Sequence, residues 1–222
     1  MSQGTPSFET HVPSRTLGFT LMSVVIVAVA LFLAQQQEAD DQTPALSLPA
    51  NLSGFSSEHW YMPDDSSLGF VHIPAGGFTM GSNPAVDRMA YVNERWSATR
   101  RQGRLELPSF YVARYETSVA QFAAYLNATG QSSNAVEGLA HDLPITGITW
   151  PEALAYTPWQ DHAFRQSDQT PAEHSGFLES GGRVTLPSEA EWEKAARGTE
   201  GQIFPWRSGP PPESINFNGS EI

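Results

Sequence analysis

The chain has 222 residues, 40% of them hydrophobic, enough for one ordinary globular core with a modest remainder for tails. Its formal charge of −12, from 24 acidic and 12 basic residues, argues against a nucleic-acid partner held through a broad basic surface. No cysteine is present, which removes disulfides, thiolate catalysis and cysteine-bound metal from the chemistry of these residues.

Residues 1–16 read as a polar tail, and residues 17–34, LGFTLMSVVIVAVALFLA, as a transmembrane helix with no charge. At the helical rise this run reaches about 27 Å, close to the hydrocarbon thickness of a bilayer. A core helix would show a polar face, and this run has none. Ala28-Val29-Ala30 offers the rival reading of a cleavable signal peptide, but the apolar run continues past it. Arg15 precedes the run, Glu38, Asp40 and Asp41 follow it, and the next basic residue is Arg88. That asymmetry predicts a single-pass protein of a bacterial inner membrane, with a cytoplasmic N-terminus and a periplasmic main domain.

Residues 35–67, with prolines at 44, 49 and 63 and no period, read as a linker. Its cluster His59-Trp60-Tyr61 suits docking on the domain, and Trp60 and Tyr61 are also candidate partner contacts. The domain itself is expected over 68–222. Phe70 and Ile73 lead through Pro74-Ala75-Gly76-Gly77 into Phe78-Thr79-Met80, a pattern that fits a hairpin. A long loop then holds Arg88, Arg95, Arg100, Arg101 and Arg104, candidate contacts for an acidic partner or anionic lipid, or else a solvated loop with local ion pairs. One strand is predicted over 105–116, LELPSFYVARYE.

Three capping boxes start helices at Ser118, Thr149 and Ser188, each with Gln or Glu three residues on. In the first helix Phe122, Tyr125 and Leu126 share a face and Gly130 stops it; Pro158 is expected to end the second. In the third, Trp192, Ala195 and Ala196 are expected to form the buried stripe. Glu189, Glu191 and Glu193 suit the helix dipole and local structure better than a metal.

The ordered runs FVHIPAGGFTMGS (70–82), FYVARYETSVAQFAAYLNATG (110–130), LPITGITWPEALAYTPW (143–159), RVTLPSEAEWEKAARG (183–198) and FPW (204–206) resemble the formylglycine-generating enzyme family, or sulfatase-modifying factor domain. The resemblance implies an α+β, C-type-lectin-like domain with short helices, short antiparallel strands and much irregular chain. It also implies copper-binding active-site cysteines in a C-terminal part that lies beyond Ile222. Thr157 stands where many members carry a cysteine, Arg207 replaces a glycine, and the family's GNVWEW and RGGSW segments are absent. The histidines at 11, 59, 72, 141, 162 and 174 lack the H-x-x-x-H spacing of the family's iron-dependent sulfoxide synthases. Asn216 and Phe217 match part of a family calcium site that Asn218 and Glu221 would complete only poorly.

No cofactor, no metal and no catalysis are therefore expected. The sequence suggests a non-catalytic, membrane-anchored accessory or scaffold subunit, whose partners are the lipid bilayer, through residues 17–34, and integral-membrane subunits of a larger complex. A photosynthetic reaction centre with its antenna is the guessed setting, although no histidine lies within 17–34 to ligate pigment. The alternatives are a family-type oxidase completed by another chain, or a lectin-like ligand-binding module using Trp96, Trp150, Trp159 or Trp206.

Overall fold

A computed structural model describes residues 46–91 and 93–207. The apolar run 17–34 and the segment around Asn216 lie outside these residues, and no helix among those described is long and apolar enough to cross a membrane. The architecture mixes strand and helix. Strands β1 (Phe55–Ser56), β2 (Met62–Pro63), β3 (Phe70–Ile73), β4 (Gly76–Met80), β5 (Gly103–Leu107) and β6 (Phe110–Ala113) precede helices α1 (Val119–Thr129), α2 (Trp150–Gln166), α3 (Ala172–Glu179) and α4 (Glu189–Arg197). Single turns of 3-10 helix cover Ser57–His59 and Asn134–Val136.

The expected hairpin does not form. β3 pairs antiparallel with β6, Phe70 opposite Ala113 and Ile73 opposite Phe110, while β4 pairs with β5, Gly76 opposite Leu107 and Met80 opposite Gly103. Pro74 and Ala75 separate β3 from β4, and the Pro74 and Gly76 carbonyls both accept from Lys194 Nζ, at 2.7 and 3.0 Å. A side chain over 100 residues away thus holds the corner that a local turn was expected to close. The strand predicted over 105–116 is likewise split between β5 and β6 at Pro108, which has no N–H to continue a ladder.

Residues 55–63, inside the expected linker, form the β1–β2 pair, and the aromatics between them turn inward. Trp60 meets Trp159 and Phe164 edge-on at centroid distances of 6.4 and 6.1 Å, and Tyr61 is 6% exposed with its hydroxyl donating to the Pro49 carbonyl. Both adopt left-handed backbone, φ 51° and 61°. Such conformations cost a non-glycine residue roughly 1–2 kcal/mol each, offset here by aromatic burial. Of these two candidate partner contacts, Trp60 is half-buried against the core and Tyr61 is buried.

All three capping boxes are present, at Ser118 with Gln121, Thr149 with Glu152 and Ser188 with Glu191, and Gly130 closes α1 in left-handed geometry. Phe122, Tyr125 and Leu126 are buried, and Tyr125 packs against Tyr156 and Trp159 of α2 at 5.6 Å each. Gln121 is buried too, its amide nitrogen donating to the Tyr61 carbonyl at 3.1 Å. A second cluster joins Met62, Leu68, Phe164 and Leu178, with Trp60, Phe70 and Val184 against it.

Pro158 does not end α2, which runs on to Gln166. The missing N–H would have served the Leu154 carbonyl, and the Thr157 hydroxyl donates to it at 3.1 Å. Thr157 thus compensates the proline beside it.

Candidate functional site

α4, the helix of the RVTLPSEAEWEKAARG run, presents its faces the opposite way from the amphipathic expectation. Trp192 is 64% exposed, Ala195 and Ala196 are half-buried, and Lys194 is 4% exposed. Polar latches decide the orientation. Lys194 seats on the two carbonyls at the β3–β4 corner; Glu193 accepts from the Gly81 N–H at 2.7 Å and pairs with Arg197 at 2.6 Å. Arg197 also donates to the Gly201, Gln202 and Gly81 carbonyls. With that face bound to the end of β4, the tryptophan two residues from Lys194 points outward.

A second tryptophan, Trp150, opens α2 and is 68% exposed. One turn later Leu154, 37% exposed, leads into an open groove of about 450 Å³ lined by Leu154, Thr157, Pro158, Asp161, Arg183, Val184 and Thr185. Asp161 is the polar floor of this region: it accepts from the Val184 N–H at 2.7 Å and from Arg165 at 2.6 Å. Burial alone would raise its pKa, but the Arg165 and Val184 hydrogen bonds and the Arg165 charge outweigh it and hold the carboxyl below its ordinary value. Arg165 in turn donates to the Leu178 and Gly182 carbonyls, so α2, α3 and the loop 182–185 are tied around one carboxylate.

At α3, Tyr111 of β6 donates to Glu173, which, with burial, pushes its phenol up to about 12. His174, 8% exposed, is fixed to the Ser67 carbonyl at 2.8 Å and packs on Phe70 and Tyr111. Two buried hydroxyls are committed to the backbone: Ser118 accepts from the Gln121 N–H, and Thr170 donates to the Phe164 carbonyl. Among the described residues no three His, Cys, Asp or Glu side chains gather to hold a metal ion. Glu191 caps Ser188 and Glu193 pairs with Arg197, so the acids of α4 act structurally.

Residues 62–219 match the family described as the sulfatase-modifying factor enzyme 1-like domain. The chain belongs to this family. It is similar to formylglycine-generating enzymes of Bos taurus (25% identity, covering 87% of this chain), Mus musculus (29%, covering 61%) and Thermomonospora curvata (28%, covering 65%). It spans 64%, 42% and 54% of the length of those three relatives, respectively. Relatives of this sulfatase-modifying factor domain are thus catalytic proteins. The copper that the resemblance implies for the family does not fit the donors here, since Cu(I) favours thiolates and these 222 residues contain none. Asn216, Phe217, Asn218 and Glu221 of the partial calcium match lie outside the described residues.

The remaining sequence candidates separate in space and environment. Arg88, Arg95, Arg100, Arg101 and Arg104 are all exposed. Arg104 lies 4.0 Å from Glu106, and the other four guanidinium groups have no hydrogen-bond or ion-pair partner among the described residues. Trp96 covers Gly103 yet stays partly open at 36% exposed, Trp159 is in the aromatic core, and Trp206 stacks on Phe204 at 4.8 Å, leaving Trp150 as the most exposed of that set. Sequence reasoning missed the Lys194 latch and the exposure of Trp192. The Glu193–Arg197 spacing of four was the available signal, because an i,i+4 pair marks a helix face.

Proposed function

We propose that this sulfatase-modifying factor domain works as a non-catalytic docking module. In this reading it is a C-type-lectin-like domain held by a membrane-spanning helix at 17–34, with its N-terminus cytoplasmic and the domain in a bacterial periplasm. It serves as an accessory subunit of a membrane protein complex, of which a photosynthetic reaction centre with its antenna is one setting. The observation that carries the reading is the outward placement of Trp150 and Trp192, 68% and 64% exposed, together with an open groove along α2 that has Leu154 and Val184 in its wall. Tryptophan is the side chain that most often anchors protein interfaces, and two left in water on ordered helices suit a covering partner.

Family-type oxidation would need a soft ligand set that these residues do not supply. Elemental analysis of the purified full chain, with an oxygen-consumption assay on a thiol peptide, tests this half of the reading. The expected result is no retained copper and no thiol-dependent oxygen uptake. Retained copper with uptake would overturn it.

A further inference from the structure

The loop between β4 and β5 is fastened to the domain at Gly81 and Ser82, where Glu193 and Arg197 bond to it, but side chains in its middle stand in solvent and its composition is unusual for solvated chain. Val86, Met89 and Tyr91 are 71%, 73% and 72% exposed, three large apolar side chains within six residues. Between and after them stand Arg88, Arg95, Arg100 and Arg101, all exposed and none paired among the described residues. Residues 83–104 hold five arginines against two carboxylates, Asp87 and Glu94, on a chain whose net charge is −12.

The backbone that presents them is built. Asn83 Oδ1 accepts from the Ala85 N–H, and the Asn83 carbonyl accepts from Val86 and Asp87. Asp87 Oδ1 accepts from the Met89 N–H. The Trp96 and Ser97 N–H groups bond to the Arg101 and Arg100 carbonyls, and the Trp96 ring lies over Gly103, where a Cβ would collide with it. The Gly81 carbonyl takes Gln102 Nε2 at 3.2 Å. The apolar tips therefore stand out on a fixed frame.

We infer that this loop is a lipid-contact surface, seating Val86, Met89 and Tyr91 in the interface of an anionic bilayer while the arginines meet its phosphates. Arginine stems cover apolar surface while their heads reach polar groups, and tyrosine favours headgroup depth. Isolated apolar tips interleaved with unpaired cations match an interfacial segment. Three apolar tips dispersed along six residues, with no single contiguous apolar patch, suit a fluid lipid interface better than the packed core of a protein interface. The inference is separate from the docking role of Trp150 and Trp192, because its test contains no other protein.

The absence of cysteine makes Met89→Cys a unique labelling site in the full chain. A nitroxide there is read for relative accessibility to oxygen and to a water-soluble nickel chelate, in vesicles of phosphatidylcholine with or without phosphatidylglycerol. Glu137→Cys, at an exposed position in a different loop, is the control. The oxygen-to-chelate ratio at 89, but not at 137, should rise at least about five-fold on anionic vesicles and fall back at high salt. Replacing Arg88, Arg95, Arg100 and Arg101 by Gln, with an unchanged melting curve, should abolish the rise. A label at 89 as water-accessible as at 137, or a rise independent of lipid charge, would overturn the inference. So would a label buried only by added polyglutamate, which would assign the loop to an acidic protein.

Discussion

Lys194→Met tests the latch that orients α4. Lys194 is the single lysine of the chain, 4% exposed, and donates to the Pro74 and Gly76 carbonyls at 2.7 and 3.0 Å. Methionine conserves most of the volume but leaves both carbonyls facing an apolar chain. Hydrogen bonds from a charged donor contribute roughly 1.5–3 kcal/mol each, and relief from burying an ammonium offsets part of their loss. The net expected loss is about 3 kcal/mol. For a chain of this size that corresponds to a fall in Tm of about 6–12 °C, read by calorimetry of the full chain at neutral pH. A Tm within about 2 °C of the parent would refute the latch, showing that the corner carbonyls find equivalent partners without it.

The same burial predicts that an amine-reactive ester labels Lys194 only after unfolding, so that mass spectrometry of the folded chain shows no modified lysine. Thr157→Val leaves the Leu154 carbonyl unserved next to Pro158 and should cost about 1 kcal/mol in a denaturant titration. Asp161 has its folded pKa below the unfolded value, so its contribution is present above about pH 4 and is lost as pH falls through the folded value. Asp161→Asn should lower stability at neutral pH and flatten the acid limb of the stability profile. Tyr111 moves the other way, from 10.0 to about 12, so its share of stability is complete below pH 10 and declines as pH rises towards 12. Tyr111→Phe should make that alkaline decline shallower, and a tyrosinate absorbance titration of the folded parent chain should lack the early steps of Tyr111 and of Tyr156, whose phenol is raised by burial.

How much of this was legible in the sequence depended on whether the signal was local. The capping boxes at Ser118, Thr149 and Ser188 and the Gly130 stop rest on contacts within four residues, and each formed as predicted. The hairpin across Pro74-Ala75 failed because both strands took partners more than 20 residues away, which no local pattern encodes. Pro158 looked like a stop because its breaking effect is local, whereas its remedy depends on a hydroxyl rotamer at Thr157. The helical spacing of Trp192 with Ala195 and Ala196 predicts an inward tryptophan, yet the inward face of α4 is specified by Lys194, Glu193 and Arg197, whose value comes from distant backbone groups. The arginine loop was visible as composition, while the protrusion of Val86, Met89 and Tyr91 required the folded frame.

The most direct test of the docking account is affinity purification of the full chain from mildly solubilised native membranes, with quantified stoichiometry. The parent is compared with a Trp150→Ser, Trp192→Ser variant. Both tryptophans are exposed, so the variant should melt like the parent. The account predicts stoichiometric recovery of integral-membrane subunits with the parent and their loss with the variant. Recovery of the chain alone, or equal recovery by parent and variant, would contradict it.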